Sequence, residues 1–171
     1  PVATLQFIDT GAEIDEFRLL QRYSLLTLWF QGDTGAAWSD STNWLNAGEC
    51  TWTGIYCDLG IVTVVDLAEN GLQGTLSPDL GLLSNLKELD LASNSLVGSL
   101  PTVIALWTDL ESFTLGSNYL SGSLPSEIGL WTSLMYFNVS TNGLTGSLPS
   151  ELGSWTNLTF LNISSNSLTG S

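Results

Sequence analysis

Two rhythms of apolar and polar residues divide the chain. Over "EIDEFRLLQRYSLLTLWFQ", Ile14, Phe17, Leu20, Tyr23, Leu26 and Phe30 recur every three or four positions, and Gly32 closes the run. That spacing predicts a single amphipathic helix over about 13–31. From residue 62 the rhythm changes: Asn70, Asn94, Asn118, Asn142 and Asn166 follow one another at 24-residue intervals. Apolar residues keep the same offsets before each asparagine, as in Leu86, Leu89, Leu91 and again in Leu134, Phe137, Val139, which gives LxxLxLxxN. After it come Leu72, Leu96, Leu120, Leu144 and Leu168, then Gly74, Gly98, Gly122, Gly146 and Gly170. Pro101, Pro125 and Pro149 follow in three copies, whereas the first has Ser77 in that column and Pro78 one place later.

Each column has a physical reading. The alternating LxL residues belong to a short strand with its apolar side inward, and a fixed period in this range stacks such strands into a parallel sheet. The asparagine turns the chain inward, where its amide must be satisfied, so a ladder of asparagines bonded to neighbouring backbone is expected. Glycine permits close approach or positive φ, and proline withholds a ladder donor.

These columns resemble the plant-type leucine-rich repeat over residues 62–171, as five repeats of which the last is incomplete. The expected fold is an α/β repeat solenoid: a right-handed leucine-rich repeat with 24-residue repeats, a concave parallel sheet, irregular or 3₁₀ segments opposite, and a helical, disulfide-containing N-terminal cap. Trp107, Trp131 and Trp155 occupy the column where Leu83 stands in the first copy, and they read as filling for the convex side of the core. Their "LWT" and "SWT" setting resembles secreted repeat proteins of diatom-like algae.

A stack of repeats exposes its core at each end unless something covers it. Residues 1–61 are expected to be that cover at the N-terminal end. Cys50 and Cys57 are the only cysteines and the chain has no histidine, so a structural zinc is excluded and the pair reads as a local disulfide, with two buried thiols as the alternative. A disulfide would place the chain in an oxidising compartment. "AWSDSTNWLNAGECTWTGIYCD" is similar to the capping module of plant-type repeats through Trp44, Cys50, Trp52, Gly54, Ile55 and Cys57. At the other end the sequence stops at Gly170 and Ser171, before the next Leu-Pro, so either more chain or a partner is expected to cover the last repeat. Pro1 stands where a Met would, so a leader is either removed or lies outside the sequence.

Charge narrows the function classes. Seventeen Asp and Glu against Arg18, Arg22 and Lys87 give a formal net charge of -14, which argues against nucleic acid and anionic lipid as partners. Neither a run long enough to span a membrane nor a phosphate-binding GxxxxGK is present. Without histidine, the usual nucleophile and base pairs are missing. Asp66 and Asp90 share an outward column on adjacent strands with Glu88 beside them; a glycosidase pair and a Ca²⁺ site are conceivable there, and a solvated acidic patch is the preferred reading. Asp33 and Asp40 read as loop residues. No catalytic residue, metal or cofactor is assigned.

The outward strand positions form three columns: Val64, Glu88, Ser112, Tyr136, Phe160; then Asp66, Asp90, Thr114, Asn138, Asn162; then Ala68, Ala92, Gly116, Ser140, Ser164. They run from acidic near the cap to aromatic and amide-rich at the far end, a surface suited to a protein, peptide or glycan ligand. Tyr136 and Phe160 are the expected anchors, with Thr114, Asn138, Asn162, Glu88 and Asp90 around them. Aromatics on neighbouring strands that merely pair with each other are the plainer alternative. Asn138, Asn157 and Asn162 open N-glycosylation sequons; Asn157, outside the strand columns, is the one expected to carry sugar, and glycans on the other two would cover the ligand face. Ser and Thr columns recur without the unbroken TxT ladder expected of an ice-binding face.

The resemblance implies a secreted or cell-surface recognition module, non-catalytic, like plant receptor ectodomains and polygalacturonase-inhibitor-type proteins. The alternative is a structural subunit of an extracellular coat, adhesive or filament that self-associates through its C-terminal end.

Overall fold

The computed structural model describes residues 16–30, 38–46 and 48–170. The helix α1 (Glu16–Phe30) is followed by eleven short strands: β1 (Ile55–Asp58), β2 (Ile61–Asp66), β3 (Gln73–Thr75), β4 (Glu88–Asp90), β5 (Ser95–Gly98), β6 (Ser112–Thr114), β7 (Tyr119–Gly122), β8 (Tyr136–Asn138), β9 (Gly143–Ser147), β10 (Phe160–Asn162) and β11 (Ser167–Thr169). They form two sheets, one in the order β1-β2-β4-β6-β8-β10 and the other β11-β9-β7-β5-β3. All pairings are parallel except the β1–β2 hairpin. The first sheet is the predicted one. The second, after each asparagine, went unforeseen because its strands carry a single inward leucine amid Ser, Thr and Gly, too little alternation to read as β.

Between the second sheet and the next coil runs a 3₁₀ segment: Pro78–Leu82, Thr102–Leu106, Ser126–Leu130 and Ser150–Ser154. Pro101, Pro125 and Pro149 stand just before theirs in extended conformation. In the first copy Ser77 takes that place, with its hydroxyl accepting from the N–H of Asp79 and Pro78 as the first residue of the segment. The turn is therefore kept despite the one-residue offset: the first copy caps it with a hydroxyl and starts it with proline, whereas the later copies place proline at the cap position itself.

The asparagines line up as a ladder. The Asn118 Oδ1 accepts from Leu96 N at 3.0 Å, and its Nδ2 donates to Leu91 O at 2.9 Å and Leu115 O at 3.1 Å. Asn94 repeats the pattern one coil before, and Asn142 and Asn166 repeat it in the two coils after. Each amide thereby ties two coils together through donors and acceptors that would otherwise be unpaired inside the core. Asn70 is the exception, because its neighbour is the cap: its carboxamide bonds both the N–H and the carbonyl of Asp40, at 2.7 and 2.9 Å. The residue before each asparagine, Glu69, Ser93, Ser117, Thr141 or Ser165, lies in the left-handed region at φ 53–57°.

The core is one continuous stack of leucines with Phe113, Phe137, Trp107, Trp131 and Trp155. The cap covers its first coil, and Cys50 and Cys57 form the expected disulfide. Helix α1 corresponds to the predicted one, with residues 13–15, Ile14 included, and 31 outside the described residues. Its buried face only partly follows the expected stripe: Leu26 is buried as expected, but Leu20, Tyr23 and Phe30 are exposed, whereas Gln21, Ser24, Leu25 and Leu28 are buried. The reason is Gln21, whose Nε2 donates to Gly60 O and whose Oε1 accepts from Val62 N at 2.7 Å. A polar residue at the centre of the contact hid the true stripe from a reading based on hydrophobicity alone.

Candidate functional site

The outward positions of the first sheet are held in register by the ladders beneath them. Val64, Glu88, Ser112, Tyr136 and Phe160 are direct partners from strand to strand, and so are Asp66, Asp90, Thr114, Asn138 and Asn162. The hairpin adds a member that the repeat spacing could not supply, since Tyr56 on β1 pairs with Val64 and is 57% exposed. Its position could have been found only by following the alternation of "GIYCD" forwards from buried Ile55.

At the far end Tyr136 and Phe160 stack face to face, with centroids 4.2 Å apart and planes 5° from parallel. The expected pairing is therefore present, yet it leaves both rings 36–39% exposed on the sheet. A stacked pair of this kind covers one face of each ring with the other and leaves the edges and outer faces as an apolar surface, already ordered before any ligand arrives.

The second row spends much of its hydrogen bonding on itself. Asp90 Oδ1 accepts from Ala92 N at 2.9 Å. Asn138 Oδ1 accepts from the N–H and hydroxyl of Ser140, and Asn162 Oδ1 from those of Ser164. Each residue closes a turn onto the position two ahead, which leaves the amide Nδ2 of Asn138 and Asn162 as the group free to meet a ligand. Thr114 is 8% exposed and offers little surface. Glu88 is exposed and Asp90 half-buried. Burial is the main reason the Asp90 carboxyl is raised above its ordinary range, the Ala92 N–H opposes it, and the Asp66 charge adds to it. Among the described residues no three His, Cys, Asp or Glu side chains converge as metal ligands.

Asn157 is exposed, and its Nδ2 donates to Thr132 O at 2.9 Å. In the second sheet the strand register steps by 22 residues per coil, so Val97 pairs with Thr75 and with Tyr119, which is 69% exposed, Ser121 pairs with Gly143, and Thr145 with Ser167. That interrupts any hydroxyl ladder there. Among the described residues no helix is long and apolar enough to cross a membrane.

The leucine-rich repeat family model matches residues 85–107 and 133–155. The chain is 28% identical over 86 residues to the pollen-specific leucine-rich repeat extensin-like protein 2 of Arabidopsis thaliana, a match covering 46% of this chain; the chain spans about a tenth (10%) of the length of the curated relatives of this kind. Among solved structures it resembles a chain of the BIR3–SERK2 complex from Arabidopsis thaliana (TM-score 0.75, 29% identity, 89% of this chain and 83% of that one). It also resembles a plant ice-binding protein (TM-score 0.79, 26% identity, 88% and 49%) and the plant peptide hormone receptor RGFR1 in complex with RGF2 (TM-score 0.60, 35% identity, 61% and 17%). The repeat columns, the asparagine ladder, the disulfide-bearing cap and these likenesses agree: the chain is a leucine-rich repeat solenoid with an N-terminal cap, similar to the plant-type leucine-rich repeat proteins.

Proposed function

We propose that the chain is an extracellular, non-catalytic recognition module that takes a protein or peptide ligand on the outward face of its first sheet, anchored on Tyr136 and Phe160. The observation that carries this reading is the preordered, partly exposed aromatic pair standing in register with an acidic end on an otherwise open sheet. An open face gives no enclosed site in which an acid could be desolvated for catalysis, but it suits an extended partner. Structural relatives engaged with a partner protein and with a peptide hormone support it, and the disulfide supports secretion or display at the cell surface. Asn157 is the proposed glycan site, away from the ligand face; Asn138 and Asn162 lie half-buried within that face.

Binding screens on arrays of peptides, plant-type ectodomains and oligosaccharides, followed by titration of the hits, test the reading. Tyr136→Ala and Phe160→Ala should each weaken the interaction by about tenfold or more. Affinity unchanged in both variants removes the site, and selective capture of oligosaccharides changes the ligand class.

A further inference from the structure

We propose that the outward face of the first sheet is built for a polyproline II segment carrying a basic side chain at its centre and an aromatic or other apolar side chain three residues to either side. The inference rests on the reading of this face as the ligand surface and adds the conformation and chemical order of the ligand.

The argument is one of matching repeats. Tyr56, Val64, Glu88, Ser112, Tyr136 and Phe160 form a single row across β1, β2, β4, β6, β8 and β10. Neighbouring strands lie ~4.8 Å apart, so the alternate members Tyr56, Glu88 and Tyr136 are spaced by ~9.6 Å. A polyproline II helix has three residues per turn and rises ~3.1 Å per residue, which returns a side chain to the same side every ~9.3 Å. Across the row from Tyr56 to Tyr136 the mismatch accumulates to only ~0.6 Å. A β-strand ligand brings side chains to one side every ~6.6 Å, which fits neither spacing. An α-helix, with a pitch of ~5.4 Å against strands ~4.8 Å apart, drifts by ~2.4 Å over the same four intervals.

The chemistry along the row follows the same order. The aromatic ends, Tyr56 with Val64 beside it and Tyr136 with Phe160, suit prolines or aromatic side chains, which dock on exposed rings without losing much rotamer freedom. Glu88 lies between them, with Asp66 and Asp90 in the adjoining row, so the central ligand residue is a lysine or arginine; the net charge of -14 steers such a ligand toward the protein. A proline-rich segment has few N–H groups and many exposed carbonyls. The groups that the second row leaves free at the far end, the Nδ2 amides of Asn138 and Asn162, are donors, which is the complement such a backbone needs.

The test uses a fluorescent peptide of the form aromatic–Pro–Pro–Arg–Pro–Pro–aromatic, titrated by anisotropy into protein whose Asn138 and Asn162 are verified by mass as unmodified. Three control peptides have one extra proline on each side of the Arg, Glu in place of Arg, or Gly in place of the prolines. Saturable binding is expected, weakened about tenfold or more by each control and by Tyr56→Ala or Glu88→Gln. Equal binding of the in-register and lengthened peptides, or indifference to Tyr56→Ala, overturns the inference while leaving the ligand face intact if Tyr136→Ala still abolishes binding. Peptide binding indifferent to Tyr136→Ala, Phe160→Ala and Glu88→Gln alike overturns both. Absence of binding by every peptide of the set overturns the inference alone, the face then standing or falling with the array-derived ligand.

Discussion

Trp131 donates its indole N–H to the carbonyl of Ile104, 3.1 Å away on the preceding coil. Trp107 does the same to Leu80 and Trp155 to Ile128, each reaching 27 residues back into a 3₁₀ segment. The tryptophans therefore satisfy carbonyls that a leucine in the same column would leave to other partners, besides filling the core. Replacing Trp131, which is fully buried, separates the two roles. Trp131→Phe keeps most of the apolar volume and loses the donor, at a cost of about 0.5–1.5 kcal/mol, because Ile104 O still accepts from the Trp107 N–H. Trp131→Leu, the residue type found at position 83 of the first copy, adds a cavity and should cost about 2–4 kcal/mol. Urea unfolding with an unchanged m-value measures both; a cost near zero for Trp131→Phe would reduce the indole bond to an incidental contact, and equal costs in the two variants would mean that the added cavity contributes nothing.

A second close relationship joins cap to repeats. The N–H of Asp66 donates to Gly54 O at 2.7 Å, and Gly54 has φ +79°. A Cβ at that position would lie 2.2 Å from the Asp66 carbonyl oxygen and 2.7 Å from Leu67 Cδ2. Gly54→Ala therefore combines left-handed strain with a backbone clash and should cost about 2–5 kcal/mol. Hydrogen exchange should show the loss concentrated in the β1–β2 hairpin, with the amides of β6 and β8 keeping their protection.

The repeat itself was readable because every copy imposes the same burial on the same column, so five noisy samples reinforce one pattern. Gly54 and the cysteines were readable as part of a motif. Features carried by one copy or by polar atoms were not. Gln21 is buried because it bonds the start of β2, which no hydrophobic count reveals. Tyr56 joins the outward row through an antiparallel hairpin outside the 24-residue period. The pair of Tyr136 and Phe160 was legible as a column, whereas the withdrawal of Thr114 from the surface and the self-bonding of the Asn138 and Asn162 carboxamides depend on side-chain geometry.

Thr141 offers a stabilising change. It occupies the left-handed column at φ 55°, where its counterparts are Glu69, Ser93, Ser117 and Ser165, and it is the β-branched member, the type least suited to that conformation. Its side chain is exposed, so little packing is lost on replacement. Thr141→Asn should raise stability by about 0.5–1 kcal/mol, and Thr141→Val should lower it by a similar amount. Thermal unfolding of both variants decides the matter, since a fall in both would show that the threonine hydroxyl contributes a contact.

The acidic end predicts a pH dependence of definite sign. Asp90 has its pKa raised mainly by burial and further by Asp66, although Ala92 N–H pulls the other way. In the folded chain its carboxyl therefore holds a proton more tightly than in the unfolded chain, so its contribution to stability is fully present below the ordinary aspartate pKa of 3.8 and is lost as the pH rises through the higher folded value. Asn138 and Asn162 show that an amide makes the same turn in this column, and Asp90→Asn creates no sequon because Ala92 stands two places on. The variant should consequently be more stable than the wild type at pH 7, with the difference shrinking as the pH falls to 3.8. Unfolding midpoints of the two proteins measured from neutral to acid pH give the comparison. A difference that grows toward acid would mean that the charged carboxylate is held by favourable partners, and the acidic end of the face would then be a preorganised anion rather than a desolvated one.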